Sequence, residues 1–274
     1  PHRQASVLLT PWAAAAAGDE EKALIRPTLR GDRLVEVFGL LGQAQLFERF
    51  GKLEEAEANY KILMGFGDAS AIFAPDYGAF LERRPSGAEA VAVYDSALKV
   101  RPADAQLTAA RERAARKRKA PAMPTIREGS ARALLIPASA MLAEKQYQLS
   151  LAYLRLSSRL DPDREELWLE LGDVYTGLED AENARSAYAQ VKAGSREYSA
   201  ARSRLAWSLQ ASGDKEEALK MAREAAAGGQ RDALLTYADL LRANERYGES
   251  VATITRVIDL DGDNVEGKSA GETI

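Results

Sequence analysis

Residues 168–188 read WLELGDVYTGLEDAENARSAY. Trp168, Leu171, Gly172 and Tyr175 fall at helical spacing, a polar break follows, and Ala184 and Tyr188 come next at the same spacing. The pattern predicts two antiparallel helices joined by a short turn. Gly172 and Ala184 are small enough to let the helices approach closely, and Tyr175 and Tyr188 fill the space beside the contact. The pattern recurs. Ala44, Phe47, Gly51, Ala56 and Tyr60 form one set; Gly78, Leu81, Ala90, Tyr94, Ala97 and Pro102 form the next. Ala44 and Gly78, Ala56 and Ala90, and Tyr60 and Tyr94 are separated by one and the same interval. That interval is about 34 residues, the length of a helix-turn-helix repeat unit. Leu205, Ala206, Leu209, Gly213 and Ala218 follow the quoted stretch, with Ala206 one such interval after Gly172. Tyr237, Ala238, Leu241, Tyr247 and Ile254 close the series after a slightly shorter step. Each unit has an apolar stripe that it cannot bury alone, so stacking neighbours makes one continuous core.

The series falls out of step once. Ala138 follows Gly78 by more than one interval, and the excess is roughly a helix's worth of chain. An extra helix is expected over 103–119, then a stiff break at Ala120-Pro-Ala-Met-Pro124. A further repeat resumes near Thr125 and carries Ala138, Met141, Tyr147, Leu154 and Pro162. Pro137 inside its first helix is expected to kink or shorten it. Residues 1–31 read as a degenerate first repeat, with a helix starting at Thr10-Pro11 and a second short helix over Glu20–Leu29. The predicted organisation is a single all-α array of about seven repeats over 1–274. It comprises 1–31, repeats over 32–102, the insertion 103–124, repeats over 125–262, and a tail 263–274 that is frayed or opens a further repeat.

The W-x2-LG-x2-Y and A-x3-Y patterns make the chain resemble tetratricopeptide repeat proteins over nearly its whole length. Arg127–Leu135 (REGSARALL) and Leu151–Asp163 (LAYLRLSSRLDPD), with the interrupted array, resemble large bacterial, proteobacterial repeat proteins that often carry export signals. The resemblance implies a right-handed α-solenoid whose first helices line a concave face. It also implies a non-enzymatic scaffold that binds proteins or extended peptides, and a place in the periplasm or cell envelope. Some relatives grip a terminal carboxylate with Lys and Asn on the first helices. The matching positions here hold Leu169, Asp173, Ser203 and Trp207, which argues against that mode.

Composition narrows the chemistry. Net charge is −4, from 41 acidic and 37 basic residues, so no global field points to nucleic acid. There is no cysteine, which excludes disulfides and thiolate metal sites. The longest apolar run, Trp12–Ala17, is far too short to span a bilayer. The chain opens on Pro1 rather than Met and reads as a processed or trimmed form. His2 is the only histidine, so no catalytic triad or histidine zinc site can be assembled. No phosphate loop occurs, and Gly65-Phe-Gly67 reads as a turn. Asp259, Asp261 and Asp263 imitate a calcium loop, but Asn264 stands where Gly is needed and Ala270 where Glu is needed, so a solvated turn is expected. These absences point to no enzyme, no cofactor and no metal.

Two surfaces are candidates for binding. The repeat phase projects Asp173, Thr176, Arg204, Trp207, Gln210, Asp239 and Arg242 onto the concave face. Leu41, Gln45, Glu48, Arg49, Asp76, Ala79, Glu82 and Arg83 are expected there from the earlier repeats. Trp207 is outside the core positions and could serve as a rigid apolar anchor. The other surface is the basic run Arg111, Arg113, Arg116, Lys117, Arg118 and Lys119, opposed in sequence only by Glu112. It offers an alternative docking patch for an acidic partner or an anionic membrane. Nucleic acid is not expected there, since no aromatic residues interleave with the cations. A third alternative is that the chain is the non-catalytic part of a larger enzyme.

Overall fold

The computed structural model describes residues 2–84, 88–102 and 104–271, without the side chains of 88 and 261–271. Among the described residues there are fifteen α-helices, one 3-10 helix and no strand. The fold is all-α, a tandem array of helix hairpins of the α-solenoid kind. No described helix is long and apolar enough to cross a membrane. The chain divides into two compact units, Pro1–Glu170 and Leu171–Ile274.

Unit one holds α1 (His2–Ala16), α2 (Glu20–Ala23), α3 (Arg33–Arg49), α4 (Leu53–Met64) and the 3-10 helix (Gly67–Ile72). It continues with α5 (Ala74–Glu82), α6 (Ala88–Val100), α7 (Ala105–Ala115), α8 (Ile126–Ala143) and α9 (Tyr147–Leu160). The boundary falls within α10 (Glu165–Gly177). Unit two goes on with α11 (Ala181–Ala189), α12 (Tyr198–Ala211), α13 (Lys215–Ala226), α14 (Arg231–Ala243) and α15 (Tyr247–Gly271).

One repeat position recurs as the hairpin turn. Gly51, Lys145, Glu179, Gly213 and Glu245 all have positive φ, between 58° and 89°. Each ends a first helix in the left-handed conformation. The following N–H then bonds back five residues: Lys52 to Phe47, Gln146 to Met141, Asp180 to Tyr175, Asp214 to Leu209 and Arg246 to Leu241, at 2.8–3.0 Å. That is a Schellman closure, which satisfies a carbonyl the helix would otherwise leave unpaired. Starts are specified as well. Thr125 caps α8 and Glu128 returns the bond in a capping box, while Asp180 accepts from the Asn183 N–H at the start of α11.

The hairpins close on an aromatic ring laid over a glycine. A Cβ built on Gly78 would sit 2.3 Å from the Tyr94 ring, and one on Gly172 would sit 2.2 Å from the Tyr188 ring. Both tyrosines are buried. Where the second helix carries serine instead of alanine, the hydroxyl is not stranded. Ser150 donates to the Ala138 carbonyl at 2.9 Å, and Ser250 to that of Ala238 at 2.8 Å.

Several expectations change. Helix α1 does not begin at Thr10-Pro11 but runs through Pro11 from His2. An internal proline costs about 3 kcal/mol. Burial of Ala5, Leu8, Trp12 and Ala15 on one stripe offsets that cost. The segment expected as a leading repeat lies against α8 as well as α3. Trp12 carries that packing, since a Cβ on Gly129 would fall 2.2 Å from its ring. Pro137 does not shorten α8, which is continuous over 18 residues. The Asp259–Asp263 stretch is not a turn: α15 runs straight through it, although the side chains of Asp261 and Asp263 lie outside the described residues. Leu41 is buried in the core, not on a binding face.

Alanine favours a helix interior over glycine by about 1 kcal/mol. Gly172→Ala should nevertheless lower stability by about 1–3 kcal/mol, because the buried Tyr188 ring must move. Urea unfolding checks this, and an unchanged or raised midpoint would contradict the packing described.

Candidate functional site

A groove of about 510 Å³ opens in unit two between α10, α11 and α12. Asp173 and Thr176 enter it from α10, Ala184 and Tyr188 from α11, and Arg204 and Trp207 from α12. Helix α12 buries Ala201, Leu205 and Ala206. Trp207 is one residue, or about 100°, past the last of these, so its indole leaves the core. It is 42% exposed. Asp173 and Trp207 lie one repeat interval apart and so hold the same repeat position, which places both on the groove.

The polar wall is internally matched. Arg204 Nε lies 2.5 Å from Asp173 Oδ1, and the Tyr188 hydroxyl donates to the same oxygen at 2.8 Å. The Thr176 hydroxyl donates to the Gly172 carbonyl at 2.9 Å and sits 3.0 Å from the Tyr188 oxygen. Burial, with the Asp173 carboxylate nearby, pushes the Tyr188 phenol well above the ordinary tyrosine value. It therefore remains a hydrogen-bond donor. Trp207 supplies apolar area at one side, and the Arg204–Asp173 pair supplies charge at the other.

The other residues projected onto this face are not brought into the groove. Gln210 exchanges amide hydrogen bonds with Asn244. Asp239 and Arg242 pair with each other at 3.2 Å, exposed on α14. In unit one the corresponding face is already occupied by the chain itself. Arg83 binds both oxygens of Glu48, at 2.6 and 2.8 Å, and also donates to the Pro121 carbonyl at 3.1 Å. Arg49 donates to the Pro124 carbonyl. Asp76 accepts from Gln45 and from Arg132 of α8, at 3.0 and 2.9 Å.

The basic run is less free than the sequence suggests. Arg111 pairs with Asp95 at 2.9 Å, and Arg113 makes a two-point contact with buried Glu82, at 2.8 and 3.0 Å. Arg116 faces Glu112 at 3.7 Å. Lys117, with φ 49°, turns the chain, and Arg118 and Lys119 follow it, all exposed. Asp95 and Glu82 come from neighbouring helices, which sequence proximity could not reveal.

The family profile described as tetratricopeptide repeat matches residues 165–192, the α10–α11 hairpin that builds one wall of the groove. The chain thus carries a tetratricopeptide repeat there, and hairpins of the same construction precede and follow it. No curated protein matches the sequence. Among solved structures, the chain is similar to YrrB, described as a TPR protein with an unusual peptide-binding site. That match has 16% identity and a TM-score of 0.38 and covers 78% of this chain and 97% of that one. It is also similar to a MamA RS-1 ArsTM double mutant, at 16% identity and a TM-score of 0.26, over 86% of this chain and 98% of that one.

The raised Tyr188 value gives a pH dependence. Below the usual tyrosine pKa near 10 both folded and unfolded forms are protonated, so this contribution is intact. Above it the unfolded chain ionises first, and stability falls as pH climbs towards the folded-state value. Unfolding free energy measured from pH 8 to 11.5 should therefore decline for the wild type and decline less steeply for Tyr188→Phe. Identical slopes would contradict this.

Proposed function

We propose that this protein is a non-catalytic interaction module that holds an extended segment of a partner protein in the groove of unit two. The observation that carries the reading is Trp207, a large ring 42% exposed on a helix whose remaining apolar side chains are mostly covered. Rigid aromatic anchors in concave sites contribute disproportionately to protein binding. The adjoining Arg204–Asp173 pair suits a main-chain or polar contact beside an apolar side chain. YrrB, whose description names a peptide-binding site, is compatible with the reading but is too distant to transfer residues. The role in assembling a protein complex follows from the same reading. The basic run supports a docking role less well, since Arg111, Arg113 and Arg116 have acidic neighbours.

Affinity capture of partners, with the recovered proteins identified and one then titrated, tests this. Trp207→Ala should weaken binding by about tenfold or more, within the range of an anchor's loss. Arg204→Glu, which places a second acid beside Asp173, should weaken it too. Undiminished affinity in both variants would remove the groove from the function.

A further inference from the structure

Helix α15 has two faces suited to packing. On the first, Ser250, Thr253 and Val257 are buried. Val257 packs with Leu234, and Ser250 donates to the Ala238 carbonyl, both on α14. About 100° round the helix from that face lie Tyr247, Val251, Ile254 and Ile258. These four are 41–65% exposed. The preceding hairpin shows what this second face does. Leu219, Ala222 and Ala226 of α13 hold the same repeat positions as Val251, Ile254 and Ile258. All three are buried, Leu219 and Ala222 in a cluster with Leu240 and Leu241 of α14, and Ala226 with Leu234. The repeat therefore uses this face to receive another helix.

A repeat face that stays in water is ordinarily polar. Here Val and two Ile take those positions, and Tyr247 extends the stripe where α13 has Lys215. The stripe also fits itself. Its residues are spaced by four, three and four, the spacing of a seam between two paired helices. That order reads the same in both directions. A two-fold axis passing between residues 252 and 253 sets Tyr247 against Ile258 of a second copy, and Val251 against Ile254. The flank of the stripe that is free of α14 holds Gly248 and Thr255, both exposed and uncharged. A Cβ at Gly248 would meet open space. Glu249 and Arg256 project from the opposite side of the helix, so no like charges are forced together at the seam.

We propose that a second copy of this chain covers the stripe, with α15 pairing antiparallel to α15 about that axis. The interface is isologous, each copy offering the same patch. An exposed contiguous apolar stripe of this kind marks a protein contact. None of its residues lines the groove between α10, α11 and α12, so either reading can fail without the other.

Sedimentation velocity of the full chain over a dilution series tests the proposal. The mass should rise from one chain to two with concentration. Val251→Glu or Ile258→Glu enters a two-fold interface twice, and each should weaken association by about a hundredfold or more. Both side chains are exposed in the single chain, so Tm of either variant at the dilute end should stay close to that of the wild type. The chain has no cysteine, so introduced ones report the register without interference. A short thiol cross-linker should join Gly248→Cys copies to Thr255→Cys copies and leave Gly248→Cys copies uncoupled to one another. A chain that stays single at every concentration, a dimer indifferent to both glutamates, or Gly248→Cys coupling to itself overturns the proposal.

Discussion

An aromatic ring pressed onto a glycine backbone is the contact on which the described structure depends. Tyr94 covers Gly78, Tyr188 covers Gly172 and Trp12 covers Gly129, each so closely that a single methyl group would collide with the ring. Protein interiors pack densely enough that such a contact cannot relax by leaving a gap. In the Tyr94 and Tyr188 hairpins it sets the distance between the two helices. That distance in turn fixes which residues face the neighbouring hairpin and which face outward. The left-handed turn residue and its five-residue backbone bond then reverse the chain at the same repeat position in five hairpins.

Most of this construction was legible in the sequence because its demands fall on few residue types at a fixed interval. A small residue is needed where helices touch, and a large one beside it. The turns were half legible. Gly51 and Gly213 announce a left-handed position, whereas Lys145, Glu179 and Glu245 occupy it without the usual signal, held there by the Schellman bonds. Long-range packing was not legible. The Trp12–Gly129 contact joins residues from distant parts of the chain, and only burial of the α1 stripe makes a helix through Pro11 worthwhile.

The candidate site was legible to a similar degree. Repeat phase placed Trp207, Asp173, Thr176 and Arg204 on one face, and they do meet at one groove. It placed Gln210, Asp239 and Arg242 there too, but those side chains find nearer polar partners. The inner face of unit one shows why phase alone is insufficient. Arg49 and Arg83, at the same position of successive repeats, each hold a carbonyl of the segment that follows them, at Pro124 and Pro121. The same repeat position in unit two is Gly177 and Ala211, side chains too short to hold anything. One face is thereby closed by its own chain, and the other offers an exposed indole.

The glycine contacts themselves can be observed directly. A proton lying over an aromatic face is shifted upfield by the ring current, and NMR of the glycine-labelled protein reads this at each Hα. The account predicts upfield Hα resonances for Gly78, Gly129 and Gly172, and ordinary values for Gly51 and Gly213, which have open space beside them. Ordinary shifts at Gly78, Gly129 and Gly172 would contradict it.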